Sequence, residues 1–353
     1  MESVSYLILY NFDFYYLMPF PVDKILMEGE GLRPKLVRKD IKLFSWILPD
    51  DDLIWKVKPG INIRAENINC RSIPSDECLD FTISTNSLGF RTPEFSPVKK
   101  DCTLRIVALG DSNVFSWGVD EENSFCGILR KKLRDYKGEV INLGCPGYSS
   151  LQGLQLLKKT AVSLNPDILI VWFGDNDNLK SSGLTDRQYL SRNHTFAGKL
   201  GNLLFRRSYT FRLLFKIYYE KFHLPYFRQA NVFRVPEEEF RENLTHIVHI
   251  CRRNNIRPIL LLHLSAEDVY QQIASSVAHD EGCPFISVRE LFRENTFIPS
   301  QGGAIPSPAQ FESGFIDDWI IPLDGHPTLR GHKLIADKLF TIIENETKYD
   351  RNN

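Results

Sequence analysis

Four short stretches of this chain carry residue types that do chemistry when they meet: Gly110-Asp111-Ser112-Asn113, the run from Asn142 to Ser149 with Gly144 and Gly147, Gly174-Asp175-Asn176-Asp177, and Leu323-Asp324-Gly325-His326-Pro327. A serine hydroxyl is inert at its own pKa and needs a base before it can attack. A histidine can take that proton and later return it to a leaving group. An aspartate can hold the histidine in one tautomer and support the imidazolium. A glycine N–H and an asparagine amide are donors suited to a developing oxyanion. Together these are the parts of acyl transfer, with Ser112 as nucleophile and His326 as base.

The stretches lie far apart in the chain, so regular elements must gather them. Leu104–Leu109 is an unbroken apolar run closed by Gly110, as in a buried strand. Ser124–Leu133 reads as a helix, Val140–Leu143 as a short strand and Leu151–Leu164 as a helix with apolar residues at helical spacing. Ile168–Phe173 is apolar throughout, which suits a central parallel strand. Pro236 opens a helix with Glu237, Glu238 and Glu239 in its first turn, where the dipole favours acids. Phe240, Leu244, Ile247, Val248 and Cys251 form its buried face. A strand at Ile259–Leu262, a helix from about Glu267 to His279, a strand at Phe285–Val288 and a last helix from about Thr328 to Ile343 complete the alternation. Strands alternating with helices predict a doubly wound α/β domain with a five-stranded parallel sheet, over residues 99–346. In such sheets sites form at the carboxyl ends of the strands, where three of the four stretches stand. The fourth precedes the last helix.

Gly110-Asp111-Ser112, Gly147, Gly174-Asp175-Asn176-Asp177 and Asp324-Gly325-His326-Pro327 resemble, in order and spacing, the sequence blocks of the SGNH (GDSL-like) hydrolases. The resemblance spans about residues 104–343. It implies a flavodoxin-like three-layer α/β/α fold, ester hydrolysis without metal or other cofactor, and an oxyanion hole made by the Ser112 N–H, Gly147 and Asn176. Gly144 competes with Gly147 for that role. The commoner family spacing puts the acid three residues before the histidine, where this chain has Leu323. Asp324, two before His326, is the expected acid, with Asp317 or Asp318 as substitutes and a Ser–His dyad as the remaining alternative. An α/β-hydrolase lipase is disfavoured, because Gly110-Asp111-Ser112-Asn113-Val114 lacks the second glycine of a nucleophile elbow.

The rest of the composition narrows the partners. With 43 basic and 44 acidic residues the net charge is -1, which gives nucleic-acid binding no electrostatic footing. The 7 cysteines are odd in number and scattered, without a CxxC pair, so neither a disulfide framework nor a zinc site is expected. Cys70 and Cys78 are the one pair close enough in sequence to bridge a loop in an oxidising compartment. Asp111, Asp175 and Asp177 are read as loop-capping or solvated acids rather than metal ligands. No apolar run is long enough to span a bilayer. Residues 4–20 come closest and are read as a buried or surface-docking piece, with a degenerate anchor as the alternative. No compartment follows from this.

Residues 1–98 read as an N-terminal accessory region with short strands such as Ile61-Asn62-Ile63 and Phe81-Thr82-Ile83 between Pro, Gly and Asp turns. Residues 347–353 read as a tail. Residues 184–235 form an insertion rich in aromatics and Arg, expected to be a lid beside the site. Asn113 and His263 are expected to line a substrate pocket, and His332 to sit on the surface or in packing. The expected activity is serine esterase action on a carboxylic ester, an O-acetyl or short acyl group on a carbohydrate or small molecule. An O-acyltransferase would share every one of these residues, and a non-catalytic binding module would share the fold alone.

Overall fold

Short alternating runs near the amino terminus fold as two antiparallel pairs: β1 (Ile47–Asp50) with β2 (Ile54–Val57), and β3 (Asn62–Ile68) with β4 (Leu79–Ser84). The Asp-rich turn between β1 and β2 is held by its own first acid, since Asp50 Oδ1 accepts from Asp52 N and Leu53 N at 3.1 Å each. An aspartate that captures backbone amides two and three residues on replaces the hydrogen bonds the reversed chain loses. The computed structural model describes residues 47–68, 79–181, 184–218, 232–263, 268–296, 319–321 and 325–352. The segment 4–20, Cys70, Cys78, Asp317, Asp318 and Asp324 lie outside the described residues.

The alternating part of the chain builds the central sheet. β5 (Leu104–Gly110) leads through α1 (Ser112–Phe115) and α2 (Phe125–Lys132) to β6 (Gly138–Asn142). Then come α3 (Ser150–Leu156), β7 (Ile168–Trp172), the two-residue β8 (Lys180–Ser181), and the helices α4 (Asp186–Asn193), α5 (Phe196–Arg207) and α6 (Tyr209–Tyr218). β9 (Val232–Phe233) pairs back with β8. α7 (Glu237–Arg253), β10 (Arg257–Leu262), α8 (Asp268–Asp280), β11 (Phe285–Ser287), α9 (Val288–Asn295) and α10 (Leu329–Asn352) follow.

The sheet has five parallel strands in the order β6-β5-β7-β10-β11. All five residues of β7 are buried, as its continuous apolar sequence requires at the centre. Successive side chains of a strand point to opposite faces, so Val107 and Leu109 of β5 join one core with β1, β2, α3 and α7, while Ile106 and Ala108 join a second with α2, α9 and α10. This is the flavodoxin-like three-layer arrangement. The first and third strands of the domain, β5 and β7, are neighbours, and the chain order reverses between them. A crevice opens at such a switch point at the carboxyl ends of the strands.

Two boundaries differ from the periodic pattern. The helix after β6 is regular only to Leu156, then widens into a π-turn over Leu157–Ala161 and tightens over Val162–Leu164. The wider turn lets the adjacent Leu156 and Leu157 both reach the core. The last helix continues past Ile343 to Asn352, beyond the end of its apolar spacing. Among the described residues no helix is long and apolar enough to cross a membrane.

Candidate active site

Gly110 ends β5 where a Cβ would stand 2.6 Å from the Trp172 carbonyl, so the turn after it presses directly on β7. Asp111 then caps the single turn of α1 by accepting from Asn113 N at 2.8 Å. Ser112 is the first residue of that turn and stays partly open to solvent. The segment after it is clamped by Arg91, whose fully buried guanidinium donates to the carbonyls of Phe115 (2.8 Å), Ser116 (2.6 Å) and Val119 (2.6 Å). Burial lowers Arg91 only to about 10, so the clamp is charged at neutral pH. The chain ahead of β5 therefore buttresses the serine turn, through Arg91 and through Phe81, against which Trp117 packs edge-on.

His326 reaches the same place from the far end of the chain. It is held by its flanking backbone: Ile321 N donates to the His326 carbonyl at 2.8 Å, and Ile320 bridges to Pro327. Its Nε2 lies 2.7 Å from Ser112 Oγ, and its ring stands 6.4 Å from that of Trp117. His332, one turn into α10, is fully buried and stacks on Phe125 at 6.1 Å, accepting from Phe125 N at 3.3 Å. Burial pushes it down to about 3, which makes it a neutral packing residue.

Asn176 follows β7 and is buried, with Nδ2 donating to Asp111 Oδ2 at 3.0 Å. Asp111 thus ties the Asn176 amide to the capping group of the serine turn. Burial first, and then the charge of Asp175, push Asp111 up to about 8 despite the amide donors around it. Asn113 and His263, expected to line a pocket, are both 2% exposed. The Asn113 amide bridges Asp111 Oδ1 (3.0 Å) and Asp175 Oδ2 (2.8 Å), and His263 Nδ1 lies 3.4 Å from the same Asp175 oxygen. They form a polar layer under the serine rather than an open wall. Asp177 is also spent internally, accepting from Ser150 N and Oγ at the start of α3, and burial raises it to about 7. Among the described residues no three His, Cys, Asp or Glu side chains converge as metal ligands.

The loop after β6 supplies the two glycines. A Cβ on Gly144 would meet Phe115 N at 2.3 Å, so Gly144 serves close packing of the loop on the serine turn. Gly147 has φ +78°, and a Cβ there would meet Trp55 at 3.1 Å. Only glycine enters that left-handed region without strain.

Sequence reasoning missed what braces Gly147. Arg234, fully buried, donates to the Gly147 carbonyl (2.7 Å), to Gln152 Oε1 (3.0 Å) and to Asp186 Oδ2 (2.8 Å). Asp186 accepts in turn from Ser149 Oγ at 2.7 Å. Trp55 lies 5.4 Å beneath the guanidinium, and its Nε1 donates to the Pro146 carbonyl at 3.1 Å. Trp55 of β2, Asp186 of α4 and Arg234 after β9 therefore grip one loop. The only sequence signal was an arginine before Val235-Pro236, which carries no motif.

Residues 108–334 match the family model described as the GDSL-like Lipase/Acylhydrolase family. Among solved structures, the chain is similar to the lipase/acylhydrolase from Enterococcus faecalis (16% identity, 69% of this chain and 96% of that one, TM-score 0.42). It is also similar to an acetyl xylan esterase, AlAXEase (14% identity, 68% and 99%, TM-score 0.44). The psychrotrophic esterase EstA from Pseudoalteromonas sp. aligns with 14% identity over 69% of this chain and 99% of its own, at a TM-score of 0.42. No curated protein matches the chain.

Proposed function

Since the chain belongs to the GDSL-like lipase/acylhydrolase family, we propose that it is a serine esterase in which Ser112 is the nucleophile and His326 the base. The observation that carries this reading is the 2.7 Å contact between His326 Nε2 and Ser112 Oγ. That is the distance at which a base takes a hydroxyl proton. Ser112 Oγ attacks the ester carbonyl as His326 accepts its proton, and the carbonyl becomes an oxyanion. The imidazolium then protonates the departing alkoxide, leaving an acyl group on Ser112. A water, deprotonated by the same ring, attacks the acyl carbonyl, and the imidazolium returns that proton to Ser112 Oγ as the acyl–oxygen bond breaks and the carboxylic acid leaves.

The oxyanion is met by the N–H groups of Ser112 and Gly147 and by the Asn176 amide. An amide nitrogen has two hydrogens. One Asn176 hydrogen is taken by Asp111, which aims the other. Asp324 orients the ring from two residues before it. The substrate is a carboxylic ester of a carbohydrate or small molecule, and Trp117 beside His326 offers it an aromatic wall.

A fluorophosphonate probe and a series of p-nitrophenyl esters of increasing acyl length test this. One label per chain, lost in a folded Ser112→Ala variant together with turnover, is the expected result. A folded wild type that neither labels nor releases acid overturns it. Acyl transfer to an added sugar in preference to water overturns hydrolysis and leaves the nucleophile in place.

A further inference from the structure

Helices α5 and α6 pack on an aromatic cluster of their own, Phe205 with Phe211 and Phe215, separate from the two cores of the sheet. The inner side of α5 is pinned to the β1–β2 turn, with Asn202 Nδ2 donating to Asp51 Oδ1 at 2.8 Å and Arg206 pairing with the same oxygen at 3.2 Å. Its outer side is apolar. Phe196, Leu200 and Leu203 are 84%, 43% and 46% exposed. At i, i+4 and i+7 they share one stripe of a 3.6-residue helix, opposite buried Phe205. On α6, Leu214, Ile217 and Tyr218 are 61%, 44% and 53% exposed, again at helical spacing. Exposed large apolar side chains at this spacing point to an interaction site.

The charges that this segment itself carries have one sign, although Arg187 pairs with Glu239 and Glu242 and Arg206 with Asp51. Between Asp186 and Glu220 the sequence places Lys or Arg at seven positions and no acid, in a chain that otherwise balances its charges. Lys199 and Arg207 lie on α5 beside the stripe, both exposed, and neither pairs with an acid among the described residues. An amphipathic helix with exposed aromatic and leucine residues and basic flanks fits the interface of an anionic bilayer. A second copy of the chain fits poorly, because a two-fold contact sets the same patch against itself and opposes like charges.

We propose that the α5–α6 hairpin docks this protein on a membrane surface carrying anionic lipid headgroups. The apolar stripe enters the headgroup–acyl boundary, and Lys199 and Arg207 meet the phosphates.

Flotation of the full chain with vesicles tests this, using Ser112→Ala protein in parallel so that binding is read without turnover. Vesicles of phosphatidylcholine alone are compared with vesicles containing phosphatidylglycerol, at low salt and at about 0.5 M salt, where exposed charges are screened. The protein is expected on the phosphatidylglycerol vesicles at low salt, and much less on the others. The pairs Phe196→Gln/Leu203→Gln and Lys199→Gln/Arg207→Gln should each weaken partitioning by about tenfold or more, with circular dichroism unchanged. No partitioning, equal partitioning on both vesicles, or partitioning that neither pair alters overturns the proposal. So does a solution dimer that Phe196→Gln/Leu203→Gln dissolves.

Discussion

Arg234 Nη1 donates to the carbonyl of Gly147 at 2.7 Å, across 87 residues of sequence. The carbonyl of a glycine and its amide belong to neighbouring peptide planes, so a donor that fixes one limits the orientation of the other. Arg234 is thereby a positioning residue for the proposed oxyanion donor.

Arg234→Met leaves the Asp186 carboxylate buried and unpaired, and a broken buried pair typically costs about 3–5 kcal/mol. Arg234→Met/Asp186→Leu should recover much of that stability in urea unfolding, because no charge is stranded. Ester turnover should stay low in the double variant, since the Gly147 carbonyl still lacks its donor. A stable double variant with wild-type kcat would show that the loop holds its shape unaided.

Asn176→Ala should lower kcat by about 10²- to 10³-fold with KM nearly unchanged, because the amide is asked to bind charge that exists only in the transition state. Steady-state kinetics on a p-nitrophenyl ester read this directly. A proportional rise in KM with constant kcat would assign Asn176 to ground-state binding.

The raised pKa of Asp111 has a stability consequence whose sign is fixed. The folded chain holds a proton on Asp111 up to about pH 8, while the unfolded chain releases it near 3.8. Between those values the folded state binds more protons, so this contribution to stability falls as pH rises and levels off above about 8. In Asp111→Asn the fall should be shallower, with the part that belongs to Asp177 remaining, which melting temperatures measured from pH 4 to pH 9 on both proteins would detect. Parallel curves would mean that Asp111 is charged throughout, held so by its amide donors.

Asp324→Asn should cut turnover by up to about 10⁴-fold, because an amide can hold the imidazole in the wrong tautomer. Asp317→Asn and Asp318→Asn should cost little. Kinetics of the three variants decide the acid: a steep loss in a different one transfers the role, and three mild effects make the enzyme a Ser–His dyad.

The parts of this protein that its sequence determined are those governed by local patterns. The apolar run of Ile168–Trp172 dictates a central strand, wholly buried in the fold. Gly110-Asp111-Ser112 carries its own turn, since the aspartate captures the amide two residues on. The order and spacing of the four stretches were enough to pair Ser112 with His326. Tertiary structure decided everything that depends on which distant groups share a buried space. Nothing near Trp55 in sequence shows that it lies under the Gly147 loop, and nothing near Arg91 shows that it clamps the turn after Ser112. Asn113 and His263 stand at the right strand ends to line a pocket, yet both turn inward to Asp175. A buried polar group must find its hydrogen bonds among whatever neighbours folding supplies, and those neighbours follow from packing in three dimensions rather than from spacing along the chain.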